Sequence, residues 1–223
     1  MRAVVFANGD LLYPDAALKA VRTGDLIIAA DGGALHCQEL GLRPDLVVGD
    51  FDSLSEADLE RLKAEGASFI RYPARKDYND LELALRHAVE RGVDQILVLG
   101  ALGSRWDQTL ANVLLLVSAP FDQVRITLED GPQEIHLIRS GESLVIEGQP
   151  GDTVSLLPLT QMARDITTEG LEYPLEEGSL YMGGTRGISN VLLGETARVT
   201  LGEGLLFCVV IHGELPSHRS PAR

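Results

Sequence analysis

Five short apolar runs, at residues 3–7, 26–30, 46–48, 68–71 and 96–99, each give way to a polar turn and then to a stretch of helical spacing. Unbroken apolar residues rich in β-branched types suit strands buried on both faces, the usual state of a parallel sheet. The helical stretches fall at 15–21, through Leu35 and Leu40, from Ser55 to Gly66, after Asp80, and at about 108–117. Ser55 and Asp58 have capping-box spacing, so Ser55 is expected as the N-cap of its helix. Strands alternating with helices imply βαβ units and a mostly parallel sheet.

After about residue 120 the texture changes. Short β-like runs recur at 124–128, 135–138, 143–146, 154–157, 197–201 and 206–211, separated by glycine turns, and no helical period survives. The fold class expected is α/β: an N-terminal Rossmann-like domain over residues 1–125, then an all-β sandwich over 126–213. Residues 214–223, with two prolines and no apolar period, are expected to form a loose tail.

The chain has 223 residues, is 45% hydrophobic and carries a formal charge of -14. Its apolar content argues against disorder. The negative surface repels nucleic-acid backbones and anionic membranes, so neither is expected as a partner. Two cysteines in apolar surroundings, Cys37 and Cys208, give no disulfide framework and no zinc site. No signal-like leader and no bilayer-length apolar run is present, so a cytoplasmic location is expected.

The strand exits carry the chemistry. In a parallel sheet they share one edge, and ligands bind in the crevice outside it. The exits read Asn8-Gly9, Asp31-Gly32-Gly33, Asp50-Phe51-Asp52, Lys76-Asp77-Tyr78-Asn79-Asp80 and Gly103-Ser104-Arg105-Trp106-Asp107. So many carboxylates on one rim repel one another unless a cation lies among them. Mg²⁺ suits that place, because it takes one or two carboxylates together with phosphate oxygens. Asp77 and Asp80 also fit a purely structural use, as N-cap and first-turn residue of a helix. Lys76 either pairs a carboxylate, touches a phosphate or is a solvated charge. The Gly103-Ser104-Arg105 turn before a helix suits anion binding through backbone N–H groups and the Arg105 fork. Asn112 is either a buried, satisfied amide or a ligand. There is no P-loop and no G-x-G-x-x-G after the first strand. The five histidines show no clustering.

These motifs, taken in order, resemble the thiamine pyrophosphokinase family. The resemblance rests on Asp31-Gly32-Gly33, Gly49-Asp50-Phe51-Asp52-Ser53, Lys76-Asp77-Tyr78-Asn79-Asp80 and the run from Gly103 to Asn112. It continues through Thr168-Glu169-Gly170-Leu171-Glu172-Tyr173-Pro174-Leu175 and Gly187-Ile188-Ser189-Asn190. It implies Mg²⁺-dependent transfer of a diphosphoryl group from ATP to the thiamine hydroxyl, giving AMP. It also implies a homodimer whose site is shared between the catalytic domain of one subunit and the β domain of the other. By resemblance, Asp50, Asp52, Asp77 and Asp80 hold metal, and Asp31, Gly32, Gly33, Lys76, Asn79, Gly103 and Arg105 meet the nucleotide. Asp52, Asp77, Asp80, Arg105 and Asp107 are the catalytic set. Asp107, Gln108, Ser189 and Asn190 meet thiamine.

Two positions depart from the family, Ser104 in place of a common glycine and, the larger change, Gln108. A His usually follows the Asp of its R-x-D-H motif, and here Gln108 stands there, able to hydrogen-bond but not to carry a proton at neutral pH. Tyr173 either stacks on a thiamine ring or is a core residue. Two other functions fit the same rim: a diphosphokinase for another hydroxymethyl heterocycle such as a pterin, and a non-enzymatic thiamine or nucleotide sensor.

Overall fold

The computed structural model describes residues 1–213. The expected tail at 214–223, with His218, lies outside the described residues. The chain divides into two compact units, the first Met1–Gly131 and the second starting at Pro132.

The first unit contains β1 (Arg2–Phe6), α1 (Pro14–Ala20), β2 (Leu26–Ala30), α2 (Gly33–Glu39), β3 (Leu46–Gly49), α3 (Glu56–Ala64) and β4 (Ser68–Arg71). It continues with α4 (Asp80–Glu90), β5 (Gln95–Leu99), α5 (Trp106–Leu114), two single 3₁₀ turns and β6 (Arg125–Asp130). The strands pair in parallel in the order β6-β5-β1-β2-β3-β4. Side chains alternate across the sheet. Val4, Phe6, Ala29, Val47, Leu97 and Leu99 join one cluster with residues of α1, α2 and α3. Ala3, Val5, Ile28, Leu46, Val48, Ile96 and Val98 are buried but belong to the opposite face, where α4 brings Leu81, Ala84, Leu85 and Ala88. Both faces are covered, which is why the strands read as unbroken apolar runs.

The chain leaves β1 toward β2, β3 and β4, then returns to β5 on the other side of β1. The β1 and β5 exits therefore turn away from each other, and that gap is where open α/β sheets bind ligands. Two hydrogen bonds stitch its floor: Gly9 N–H donates to Gly100 O (2.8 Å) and Asp10 N–H to Leu102 O (3.1 Å).

Three expectations are corrected in this unit. β6 was expected to open the second domain, but it pairs in parallel with β5. The boundary thus moves from 125/126 to 131/132. The N-cap of α4 is Asn79, whose Oδ1 accepts Glu82 N–H at 2.8 Å, and not Asp77. Helix α5 starts at Trp106 and tightens into a 3₁₀ turn after Leu114. The Ser55–Asp58 capping box forms as expected, with reciprocal bonds of 3.2 and 3.1 Å.

The second unit is all β among its described residues. Its strands are β7 (Gln133–Arg139), β8 (Ser143–Glu147), β9 (Thr153–Pro158), β10 (Met162–Glu169), β11 (Gly178–Tyr181), β12 (Asn190–Val191), β13 (Thr196–Glu203) and β14 (Leu205–Ile211). They form antiparallel sets, β12-β9-β14-β7 and β11-β10-β13-β8. Ile138, Val154, Leu156 and Leu206 from the first set share one buried cluster with Ile146, Ile166, Val199 and Leu201 from the second.

Two histidines share one carboxylate in this unit, that of Glu134. His136 Nε2 lies 2.8 Å from Glu134 Oε2, and His212 lies 3.4 Å from Glu134 Oε1 and 2.8 Å from Asp152 Oδ2. Asp152 also accepts the N–H groups of Gln149 and Gly213, both at 2.9 Å. Burial opposes a charged His212, but Asp152 and Glu134 outweigh it and raise its pKa above the ordinary 6.5. A raised histidine pKa adds stability that is complete below the ordinary value and is lost as pH climbs through the folded one. The melting temperature is therefore expected to fall as pH rises above about 6.5. In His212→Gln this slope should flatten, as a melting series from pH 6 to 9 would show.

Candidate active site

The β1, β2, β3 and β5 exits and the start of α4 line an open pocket of about 540 Å³ at the gap between β1 and β5. Asp31, Asp50 and Asp52 each offer an oxygen, and the three atoms lie within 4.8 Å of one another. Asp31 follows β2 with φ +46° and is only 4% exposed. Asp50 and Asp52 flank Phe51, whose φ is +68°. Gly49 is required beneath them, since a Cβ there would sit 3.0 Å from Asp31 Cβ and 3.2 Å from Asp80 Oδ1.

Asp80 opens α4, and Lys76 Nζ lies 2.8 Å from it and 3.7 Å from Asp50. The Lys76 side chain is only 12% exposed. Burial works against its charge, but Asp80, Asp50 and Asp31 outweigh burial and raise its pKa. Asp80 is raised as well, first by burial and then by Asp31 and Asp50, against the pull of Lys76. Lys76 is thus a counter-ion inside the acidic group.

The other candidates divide. Asp31, Asp50, Asp52, Asn79, Asp80, Gly103, Arg105 and Gln108 line the pocket. Gly32, Gly33, Lys76, Asp77 and Asp107 do not line it. Gly32 and Gly33 are packing glycines, as a Cβ on Gly32 would meet Asn8 Oδ1 at 2.2 Å and one on Gly33 would meet Phe6 O at 2.1 Å. Asp77 is exposed. Asp107 faces solvent and grips Arg105 through two bonds of 3.2 and 2.5 Å. Its pKa is lowered chiefly by that hydrogen bond.

The Gly103-Ser104 turn offers fewer free donors than its sequence suggests. Gly103 N–H donates to Thr109 Oγ1 and Ser104 N–H to Asp10 Oδ2, both at 3.1 Å. Asn112 is a satisfied amide: its Nδ2 donates to Ala101 O at 2.7 Å, and its Oδ1 accepts from Asn79 at 3.3 Å. In the second unit Asn190 is similarly engaged. It accepts from Tyr173 N–H (3.0 Å) and donates to Tyr173 O (2.7 Å). Tyr173 itself is 64% exposed, so its core reading is corrected. Ser189 has φ +59° and its N–H donates to Ser155 Oγ at 3.0 Å.

Asp10 was missed, and Asn8 was named at its strand exit without a role. Asn8 Nδ2 donates to Asp31 Oδ2 at 3.3 Å and lies 3.1 Å from Ser53 Oγ, tying two acidic loops together. Asp10 holds the Gly103–Ser104 turn. The signal was their place at the exit of β1, the strand that the topology puts at the gap.

One observation bears directly on a metal. Asp31 Oδ1 is buried and has no hydrogen-bond partner. A buried carboxylate oxygen left unpaired is costly, and the side chain that carries it offers an oxygen within 4.8 Å of one from Asp50 and one from Asp52. An all-oxygen donor set of this kind fits a hard divalent cation.

Family comparison agrees with the geometry. The chain matches the family model described as thiamin pyrophosphokinase, catalytic domain, over residues 18–128, and the vitamin B1 binding domain over 135–206. It is 30% identical over 184 residues to the thiamine pyrophosphokinase of Bacillus subtilis, covering 82% of this chain and 86% of the relative. The chain belongs to the thiamine pyrophosphokinase family. Among solved structures, the thiamine pyrophosphokinase of Bacillus subtilis superposes with a TM-score of 0.86 at 26% identity, covering 96% of this chain and 100% of that one. A thiamin pyrophosphokinase family protein from Enterococcus faecalis gives 0.81 at 27%, covering 96% and 100%. This family member thus has the family fold along nearly all of its length.

Proposed function

We propose that the chain is an ATP-dependent thiamine diphosphokinase, giving thiamine diphosphate and AMP, with Mg²⁺ held at the acidic rim. The observation that carries the reading is the clustering of Asp31, which keeps one buried oxygen unpaired, with Asp50 and Asp52 in a pocket at the β1–β5 gap. Asp31, Asp50, Asp52 and Asp80 are the proposed metal group. Asp77 joins it on the resemblance alone. Bound there, Mg²⁺ supplies charge neutralisation on polyphosphate oxygens.

The remaining work falls to the chain's own residues. Phosphoryl-type transfer to a neutral hydroxyl needs positioning more than covalent help. Arg105, which lines the pocket, is the proposed group for phosphate oxygens, a role for which its fork suits it. Asp107, held low by Arg105, is suited to accept a hydrogen bond from the acceptor hydroxyl and orient it, rather than to take its proton. Lys76 offsets the repulsion among Asp31, Asp50 and Asp80 while no substrate is bound. Gln108 lines the pocket as a hydrogen-bonding group in place of the family His.

We read the second unit as a β sandwich that selects the ring, with Ser189 and Asn190 on the thiamine side. The same reading makes the protein a cytoplasmic homodimer with a shared site. Helix α5 supports it by leaving Trp106, Leu110 and Leu114 exposed at 76%, 57% and 50%, spaced as one helical stripe. Leu110→Glu is expected to convert a dimer to a monomer, read by size exclusion with light scattering.

The function is tested by AMP release from ATP on adding thiamine with Mg²⁺. Thiamine-dependent AMP is expected. A preference for a hydroxymethylpterin, or binding without turnover, would overturn it. The two relatives reported above favour neither alternative.

A further inference from the structure

Phe51 sits between two of the three clustered carboxylates in a backbone conformation that bulky residues avoid, φ +68°, with its side chain 6% exposed. Such a conformation persists only where the surroundings over-determine it. The surroundings here come from β4. The Phe69 ring meets Phe51 edge-on, with centroids 5.5 Å apart and planes at 89°. The Arg71 guanidinium lies 4.7 Å from the centre of the Phe51 ring. The same guanidinium donates from Nη1 to the main-chain carbonyl of Asp50 at 2.9 Å. Arg71 is also registered directly beside Gly49, the residue that brings the chain into the loop.

We infer that Arg71 is a positioning residue for the metal group: by clamping the Asp50 carbonyl and the Phe51 ring together, it holds the left-handed turn that aims the Asp50 and Asp52 carboxylates at one point. Arg71 does not line the pocket and touches none of the three carboxylate groups among the contacts of the described residues. Its action is through the backbone. The inference rests on the metal reading of the acidic rim and adds a residue to it.

The sign of the effect separates this role from simple charge. Removing a cation near a carboxylate cluster should, by Coulomb's law alone, tighten binding of a metal ion. Loss of a clamp should loosen it, and residues that orient metal ligands typically carry 10–100-fold in affinity. Lysine keeps the charge but has neither the planar fork nor the flat face that stacks on Phe51.

The test titrates the full chain with Mn²⁺ alone by calorimetry and measures melting in chelator. Arg71→Ala is expected to weaken Mn²⁺ binding about tenfold. Arg71→Lys is expected to weaken it in the same direction. In turnover assays, the Mg²⁺ concentration for half-maximal rate should rise while kcat at saturating Mg²⁺ stays within about threefold. A merely stabilising Arg71 would lower the melting temperature and leave Mn²⁺ affinity alone. Affinity equal to or tighter than the parent in Arg71→Ala overturns the inference, and if that variant does not fold, Arg71→Lys decides by the same criterion. Absence of Mn²⁺ binding by the parent chain would instead sink the metal reading on which the inference stands.

Discussion

Asp31→Asn, Asp50→Asn and Asp52→Asn are each expected to lower turnover at least ~100-fold, the usual scale for losing a group that stabilises charge in the transition state. The three oxygens converge within 4.8 Å, so no one of them can be replaced by its neighbours without moving a loop. The same substitutions should leave the protein at least as stable in chelator. Asp31 keeps one buried oxygen unpaired, and Asp80 has its pKa raised by burial and by Asp31 and Asp50. An amide removes one charge from that repulsive group, so turnover and stability move in opposite directions. A parallel fall of both would mean that the acids act as structural residues. Near-parental turnover in Asp52→Asn, measured as thiamine-dependent AMP with Mg²⁺ in excess, would remove the metal rim from the mechanism.

How far the sequence could be read depended on whether the deciding interaction was local. The first-unit strands were legible because burial on both faces leaves a run of apolar residues with nothing polar inside it. The Ser55–Asp58 box was legible because both partners lie within one turn. The helix after it was harder. Asp77, Asn79 and Asp80 can all cap, and only the backbone path picks Asn79. β6 looked like part of the β domain because residues 124–128 carry the same apolar signature in either sheet. Its parallel pairing with β5 is a tertiary fact. The site divides in the same way. The acids announced themselves by type and by their place at strand exits. The roles of Asn8, Asp10 and Arg71 were not legible, because each acts on a loop distant in sequence: Asn8 on Asp31 and Ser53, Asp10 on Ser104, Arg71 on Asp50. The donors of the Gly103–Ser104 turn looked free for the same reason, since Asp10 lies 94 residues away from Ser104.

Gly33→Ala is the substitution for which sequence and structure give opposite signs. Gly33 lies in the first turn of α2, and alanine is the better helix former by up to about 1 kcal/mol. On that ground the change should stabilise. The packing says otherwise. A Cβ at Gly33 would stand 2.1 Å from Phe6 O and 2.7 Å from its carbonyl carbon. Both are backbone atoms of β1, which is hydrogen-bonded to β2 on one side and β5 on the other, so the strand cannot give way. The helix must lift instead, and Asp31 stands two residues before Gly33, at the exit of β2. Overpacking of a well-filled interior costs typically 1–3 kcal/mol. Taking about 3 kcal/mol, and about 2–4 °C per kcal/mol for a chain of this size, melting should fall by roughly 6–12 °C. Gly194→Ala is the matched control, since nothing lies within 4 Å of a Cβ there, and it should melt within about a degree of the parent. If Gly33→Ala melted as high as that control, α2 would not be seated on β1 as the structure has it. The close approach of helix to strand that places Asp31 in the pocket would then be lost with it.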